Sequence, residues 1–150
     1  MIRKAKISDI KEIQKLINFY AERKEMLPRA LNELYENLRD FLVFEEEGEI
    51  LGCCALHVSW EDLGEIKSLA VKLGNTGKGI GRKLMEECLK ETKELGIKRV
   101  FALTYKPEYF EKAGFKKIEK DKLPHKIWSE CINCPKFPDC DEVAMLKEAK

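Results

Sequence analysis

The sequence predicts an α+β domain built on a mixed sheet. Three observations point there. Short β-rich runs alternate with helical stripes from Ile2 to Ile118. Two of those runs flank Gly48 as a hairpin. One strand–loop–helix–strand crossover carries Gly77, Gly79 and Gly81 at every second position. A chain of 150 residues suits one domain with a real core. Residues 1–150 are therefore read as a single domain, with a Cys-rich tail from Asp121.

The elements follow in order. "IRKAKI", from Ile2, reads as a first strand. Ser8 or Asp9 can cap the next helix, and Asp9 with Glu12 has capping-box spacing. Ile10, Ile13, Leu16, Ile17, Tyr20 and Ala21 recur at helical spacing. Pro28 interrupts them, and Leu31, Leu34, Tyr35 and Leu38 restart a short second helix. "FLVFEEEGEILGCCALHVSW" is the hairpin, and "GEIKSLAV" is a strand ending at Val71. After the glycines, Ile80, Leu84, Cys88, Leu89 and Leu95 mark a long helix closed by Gly96. "KRVFALTY" is a strand, "PEYFEKA" a short helix opened by Pro107 and ended by Gly114, and "FKKIEK" a strand. The remainder is rich in Cys and Pro and yields no assignable element.

Composition excludes several classes. Hydrophobic residues at 44% argue against disorder. A net charge of +1, from 28 basic and 27 acidic groups, leaves no overall footprint for nucleic acid. No apolar run approaches the roughly 20 residues of a membrane span, and "MIRKAKISDI" lacks the apolar block of a signal peptide. The expected location is the cytoplasm, with no membrane partner, and the six cysteines are expected to be reduced.

A strand running through glycines into a helix N-terminus is an anion site, because free N–H groups and the helix dipole point at the ligand. The phosphate-binding P-loop fails: Gly74 and Gly79 have its spacing, but Ile80 and Gly81 follow instead of Lys and Ser or Thr. The dinucleotide fingerprint fails because Arg82 stands where its last glycine belongs. What remains is "GKGIGR" after "LAV". A tight turn alone would also use these glycines, but a second motif stands at a compatible spacing: "YFEKAGF", Tyr109 to Phe115.

Together these motifs resemble the Gcn5-related N-acetyltransferases. A finer likeness covers "MLPRALNELYENLRDFLVFEEEGEILGCCALH", "EIKSLAV", "FALTYKPEYFEKAGF" and "LPHKIWSECINCPKFPDCDEVAM". These stretches resemble stand-alone N-acetylglutamate synthase-like proteins of bacterial arginine biosynthesis. The resemblance implies a largely antiparallel sheet flanked by helices, with one splayed strand pair that receives acyl-CoA. It implies acetyl-CoA as cosubstrate and transfer of its acetyl group to the α-amino group of L-glutamate. The pyrophosphate would rest on the backbone of Gly77, Lys78, Gly79, Ile80, Gly81 and Arg82. The pantetheine arm would run beside Leu69, Ala70 and Val71. Two positions depart from the family: Thr76 replaces a usual Arg or Gln, and Phe110 stands where a Tyr is common.

Acetyl transfer to an amine needs a base, a stabilised carbonyl oxygen and a proton for the thiolate. Glu65, at the start of the strand before the loop, is the candidate base, acting through water. Tyr109 is the candidate acid, with Tyr105 as the alternative. Glutamate carries two carboxylates, so cations should meet it. Arg29 can grip a carboxylate through two N–H groups. Lys67 lies two residues from Glu65 and shares its strand face.

Cys131, Cys134 and Cys140 fall in "CINCPKFPDC", where a C-x-x-C pair has zinc-like spacing that Cys140 or His125 could complete. No second C-x-x-C exists, and the expectation is no metal. Cys53, Cys54 and Cys88 read as small core residues and His57 as a structural strand residue. Three further readings stay open: acetylation of another amine, a CoA-binding sensor with little turnover, and a zinc-stabilised interaction module. Sequence leaves a homodimer open as well.

Overall fold

The computed structural model describes residues 1–119 and 142–148. Among the described residues, seven strands alternate with four helices: β1 Ile2–Lys4, α1 Ile10–Glu22, α2 Leu31–Glu36, β2 Phe41–Glu46, β3 Glu49–Trp60, β4 Leu63–Val71, α3 Ile80–Leu95, β5 Arg99–Thr104, α4 Pro107–Lys112, β6 Lys116–Ile118 and β7 Val143–Glu148. Short 3-10 turns, Ile7–Asp9 and Leu38–Asp40, precede α1 and β2. The strands form one sheet in the order β1-β2-β3-β4-β5-β7-β6. Every pairing is antiparallel except β4 with β5, the crossover strands that α3 joins. The fold is the α+β arrangement that the sequence predicts.

Helices cover both faces of the sheet. Ile10, Ile13, Leu16 and Ile17 of α1 pack with Phe41, Val43, Cys53, Ala55 and Ala70 on one face. Leu84, Met85 and Cys88 of α3 pack with Leu42, Cys54, Leu56 and Ile66 on the other. The period-2 alternation of strand side chains explains the division. β4 breaks that alternation once. Ile66 and Ala70 are an even number of residues apart, yet they join opposite clusters. The register slips between Cys53↔Ala70 and Ala55↔Lys67, and Ser68 takes φ 57°. A β-bulge at Ser68 thus turns the last residues of β4 over, so that Leu69 and Val71 face the α3 cluster.

The second irregularity is an incomplete ladder. β4 pairs with β5 only through Leu63↔Arg99, Gly64↔Val100 and Glu65↔Phe101. Beyond Glu65 and Phe101 the strands part, leaving Ile66–Val71 without partners on β5. α3 lies close over β3, because a Cβ at Gly52 would stand 3.0 Å from Leu84 Cδ1.

Four expectations need correction. β1 ends at Lys4, before the predicted strand does. Asp9 does not form a capping box with Glu12. Its carboxylate accepts two hydrogen bonds from the Arg3 guanidinium, at 2.7 and 3.1 Å, and one from the Lys6 N–H at 2.7 Å. Arg3 also donates to Glu45, tying β1, β2 and the turn before α1 together. Leu38 leaves α2, because Asn37 ends that helix with its amide donating to Glu33 O at 2.9 Å. Finally, the tail contains β7, which enters the sheet between β5 and β6. No helix among the described residues is long and apolar enough to cross a membrane.

The Arg3 guanidinium holds the Asp9 carboxyl below its ordinary range. Asp9 therefore contributes stability above the unfolded-state value, about 3.9, and loses it as pH falls through the lower folded value. Asp9→Ala should lower the unfolding free energy by about 2 kcal/mol at neutral pH, the loss of a charged hydrogen bond. Urea denaturation at neutral and acid pH checks this, and the gap between variant and wild type should close in acid.

Candidate active site

The parting of β4 from β5 opens a cleft of about 940 Å³. One end is the glycine loop and the first turn of α3. The other is the segment between α1 and α2. β4 forms its floor, and the end of β5 with α4 forms the opposite wall.

At the loop end the glycines do two different jobs. Gly77 and Gly79 hold φ 83° and 80°, left-handed values that favour glycine, and a Cβ at either would meet nothing within 4 Å. Their role is conformational, and the space beside them is open. Gly81 has ordinary helical backbone, but a Cβ there would stand 2.9 Å from the Tyr109 hydroxyl. Gly79 is also the N-cap of α3, and no side chain caps that end. The first N–H groups of a helix have no intrahelical partner, so this end presents donors and the positive pole of the dipole. Lys78 and Arg82 flank it; Lys78 reaches Asn75 Oδ1 at 3.4 Å and Arg82 lies 3.7 Å from Glu86. Thr76 also lines the cleft.

Leu69, Ala70 and Val71 line the cleft along β4. The Val71 carbonyl accepts a hydrogen bond from the Tyr20 hydroxyl. Tyr109 is 37% exposed and lies edge-on to Phe110, which packs on Phe115 in the core. The one-residue shift of the tyrosine therefore has a structural consequence. The helix buries Phe110 and leaves the Tyr109 hydroxyl beside Gly81. Burial raises the Tyr109 pKa above its ordinary value, so the hydroxyl keeps its proton at neutral pH. Tyr105 lines the same wall.

Glu65 is 6% exposed, and Lys67 Nζ stands 3.9 Å from its carboxylate. The expected shared face of Glu65 and Lys67 is present, with the two charges close to each other. Arg29 is 8% exposed. Its Nε donates to Glu33 at 2.9 Å and Nη1 to Ser68 Oγ at 3.0 Å, and its guanidinium lies 5.3 Å from the Phe41 ring centre. Three of its five N–H donors are engaged in these contacts and the Nη2–Glu33 pair at 2.8 Å. Ser68 is the bulge residue, so the irregular backbone of β4 helps to hold Arg29 against the cleft.

The sequence reads His57 as a structural strand residue. The structure puts it in the cleft wall, with Nδ1 2.7 Å from Asp40 Oδ2. Neither residue stands in a motif, and 17 positions separate them, so no spacing rule brings them together. Among the described residues, no cluster of His, Cys, Asp and Glu suits a metal ion. His125, Cys131, Cys134 and Cys140 lie outside the described residues. Cys53, Cys54 and Cys88 are buried free thiols, as expected of core residues. Burial pushes the Cys53 thiol up to about 12, and the hydrogen bond that the Cys54 thiol donates to Cys88, together with burial, holds Cys54 well above its ordinary value.

The geometry is matched by known proteins. A profile of the acetyltransferase (GNAT) family matches residues 7–115. An uncharacterized N-acetyltransferase of Chlorobaculum tepidum is 41% identical over 146 residues, covering 97% of this chain and 94% of its own. An amino-acid acetyltransferase of Mycobacterium tuberculosis is 38% identical over 133 residues, covering 87% of this chain and 76% of its own. The crystal structure of N-acetylglutamate synthase from Neisseria gonorrhoeae, complexed with coenzyme A and N-acetyl-glutamate, superposes with a TM-score of 0.89 at 27% identity. That match covers all of this chain and 35% of the larger synthase. The chain belongs to the acetyltransferase (GNAT) family, and it is an N-acetyltransferase that takes acetyl-CoA as cosubstrate.

Proposed function

We propose that the protein transfers the acetyl group of acetyl-CoA to the α-amino group of L-glutamate, as a cytoplasmic enzyme of arginine biosynthesis. The observation that carries this reading is Arg29. It is a buried guanidinium at one end of the cleft whose other end is the anion-binding glycine loop. A buried cation facing a cleft suits an acceptor that brings its own carboxylate. The likeness to the M. tuberculosis amino-acid acetyltransferase and to the gonococcal N-acetylglutamate synthase supports the same class of acceptor.

In this reading the pyrophosphate lies on the backbone of Gly77–Arg82, with Lys78 and Arg82 adding charge. The pantetheine arm fills the gap that β5 leaves beside Leu69, Ala70 and Val71, and a β4 N–H group donates to the thioester oxygen. Glu65 receives the proton of the ammonium through water, and Tyr109 supplies the proton for the leaving thiolate. Arg29 takes the α-carboxylate and Lys67 the side-chain carboxylate. One observation favours a second acceptor, L-glutamine. Lys67 is already 3.9 Å from Glu65, so part of its charge is spent inside the protein. A neutral side chain would then suit the site as well as a charged one.

Three outcomes check these assignments. An Asp Cβ at Gly79 meets no neighbouring atom, although φ 80° strains it, and Gly79→Asp puts negative charge at the loop, so acetyl-CoA affinity should fall at least about tenfold, or about 1.4 kcal/mol. Isothermal titration measures this, and unchanged affinity in the folded variant would remove the loop from pyrophosphate binding. Glu65→Gln should lower turnover by roughly two orders of magnitude, with acetyl-CoA binding unaltered. Steady-state release of CoA thiol reports both. Arg29→Ala should raise the acceptor KM by more than about tenfold and Arg29→Lys should recover only part, because a point charge cannot replace a two-pronged grip. The panel is glutamate, glutamine, aspartate and a lysine-ended peptide. Preference for the peptide, or wild-type kinetics in Arg29→Ala, would overturn the amino-acid acceptor.

A further inference from the structure

The proton that leaves the acceptor needs a destination, and Glu65 alone is a poor one. An ordinary carboxyl group is a weaker base than imidazole by about two pKa units. An imidazole stands next to it. His57 on β3 is the cross-strand partner of Glu65 on β4. Residues directly opposite in an antiparallel pair have Cβ atoms about 5 Å apart on the same face. His57 and Glu65 both belong to the cleft wall.

The ring is held in a defined state. Asp40 Oδ2 lies 2.7 Å from His57 Nδ1. An ionised carboxylate can only accept, so Nδ1 carries the hydrogen, and the lone pair of the neutral ring is on Nε2. A carboxylate in this position both sets the tautomer and stabilises the imidazolium that forms on proton uptake. Both side chains are partly buried, at 27% and 21% exposure, which strengthens their coupling while leaving a path to water.

We propose that the Asp40–His57 dyad is the terminal proton acceptor of the acetyl transfer, with Glu65 passing the proton to it and Asp40 as the positioning residue. The inference rests on the amine-acetylation reading of the cleft. The ammonium of the acceptor gives one proton, through Glu65 and water, to His57 Nε2. The freed nitrogen lone pair then forms the N–C bond to the thioester carbonyl. The C–S bond breaks, and its electron pair goes to sulfur. The second nitrogen proton is lost as the tetrahedral adduct collapses, and one proton arrives on sulfur to give the free thiol of CoA. The proton held on His57 leaves to solvent before the next turnover. Besides Asp40 and Glu65, the charged groups around this path among the described residues are Lys67 of β4, the Arg29–Glu33 pair, and Glu142 ahead of β7, all lining the cleft.

The test is the pH dependence of kcat/KM for the acceptor, measured from about pH 6 to 9 in wild type, His57→Gln and Asp40→Asn. His57→Gln should lose roughly a hundredfold at neutral pH. The deficit should shrink by about tenfold per pH unit as free amine becomes available without a base. The KM for acetyl-CoA should stay within about twofold, because the dyad does not touch the CoA half of the cleft. Asp40→Asn, which stabilises the other tautomer, should show a smaller loss with the same pH trend. A neutral-pH loss under about threefold in His57→Gln overturns the proposal, and so does a larger loss that stays constant across pH, the mark of a structural role. If wild type acetylates an amine other than glutamate, the profile is read on that amine, and the glutamate reading alone falls.

Discussion

The constraint on which the rest depends is the short ladder between β4 and β5. Three residue pairs hold these parallel strands together, and then they diverge. Backbone N–H and C=O groups want partners, and a strand edge without them binds another extended segment well. In the proposed function, the open side of Ile66–Val71 offers the pantetheine arm the hydrogen bonds that β5 does not make. The same divergence moves the end of β5 and α4 far enough away to form the second wall of the cleft.

The bulge at Ser68 is the companion device. Without it, Ala70 would point at α3 and Val71 at α1. With it, Ala70 packs under α1 while the Ser68 hydroxyl accepts from Arg29. One inserted residue thus sets the facing of Leu69–Val71 and holds Arg29 at the cleft, the two features on which the proposed function rests. A buried guanidinium without partners would cost several kcal/mol, so Glu33 and Ser68 are needed to keep Arg29 where it is. The pairing leaves donors over, because a guanidinium has five and three are used. Lys67 is held more loosely, with its ammonium 3.9 Å from Glu65.

The two halves of the cleft differ in how they are built. The loop half is backbone: left-handed Gly77 and Gly79, the free end of α3, and Gly81 kept bare for the Tyr109 hydroxyl. The half assigned to the acceptor in the proposed function is side chains in mutually supporting pairs: Arg29 with Glu33, Lys67 with Glu65, His57 with Asp40. Backbone suits a phosphate group, whose recognition needs many equivalent donors. Paired side chains suit an amine whose proton must be moved in a defined direction.

The amino-acid order by itself determined the α+β class, α1 to α4 and the first six strands, because stripes at helical spacing, the Gly48 turn and the Gly96 stop are local signals. It also determined the loop, since left-handed glycines ahead of a helix are written in consecutive residues. β7 escaped because Val143–Glu148 becomes a strand only by pairing with β5 and β6, which lie far away in sequence. The Ser68 bulge escaped because a bulge is a mismatch between two strands and neither strand records it alone. Asp9 left its expected cap for a similar reason: Arg3 on β1, together with the Lys6 N–H, takes the carboxylate that would have capped α1. His57 and Asp40 are the clearest case. His57 reads as a structural strand residue and Asp40 carries no signal in its own segment; only the packing of the turn before β2 against β3, and the β3–β4 register, bring Asp40 to His57 and His57 opposite Glu65. Local chemistry is legible along a chain; the meeting of side chains from different strands is decided by register, which the tertiary structure alone sets.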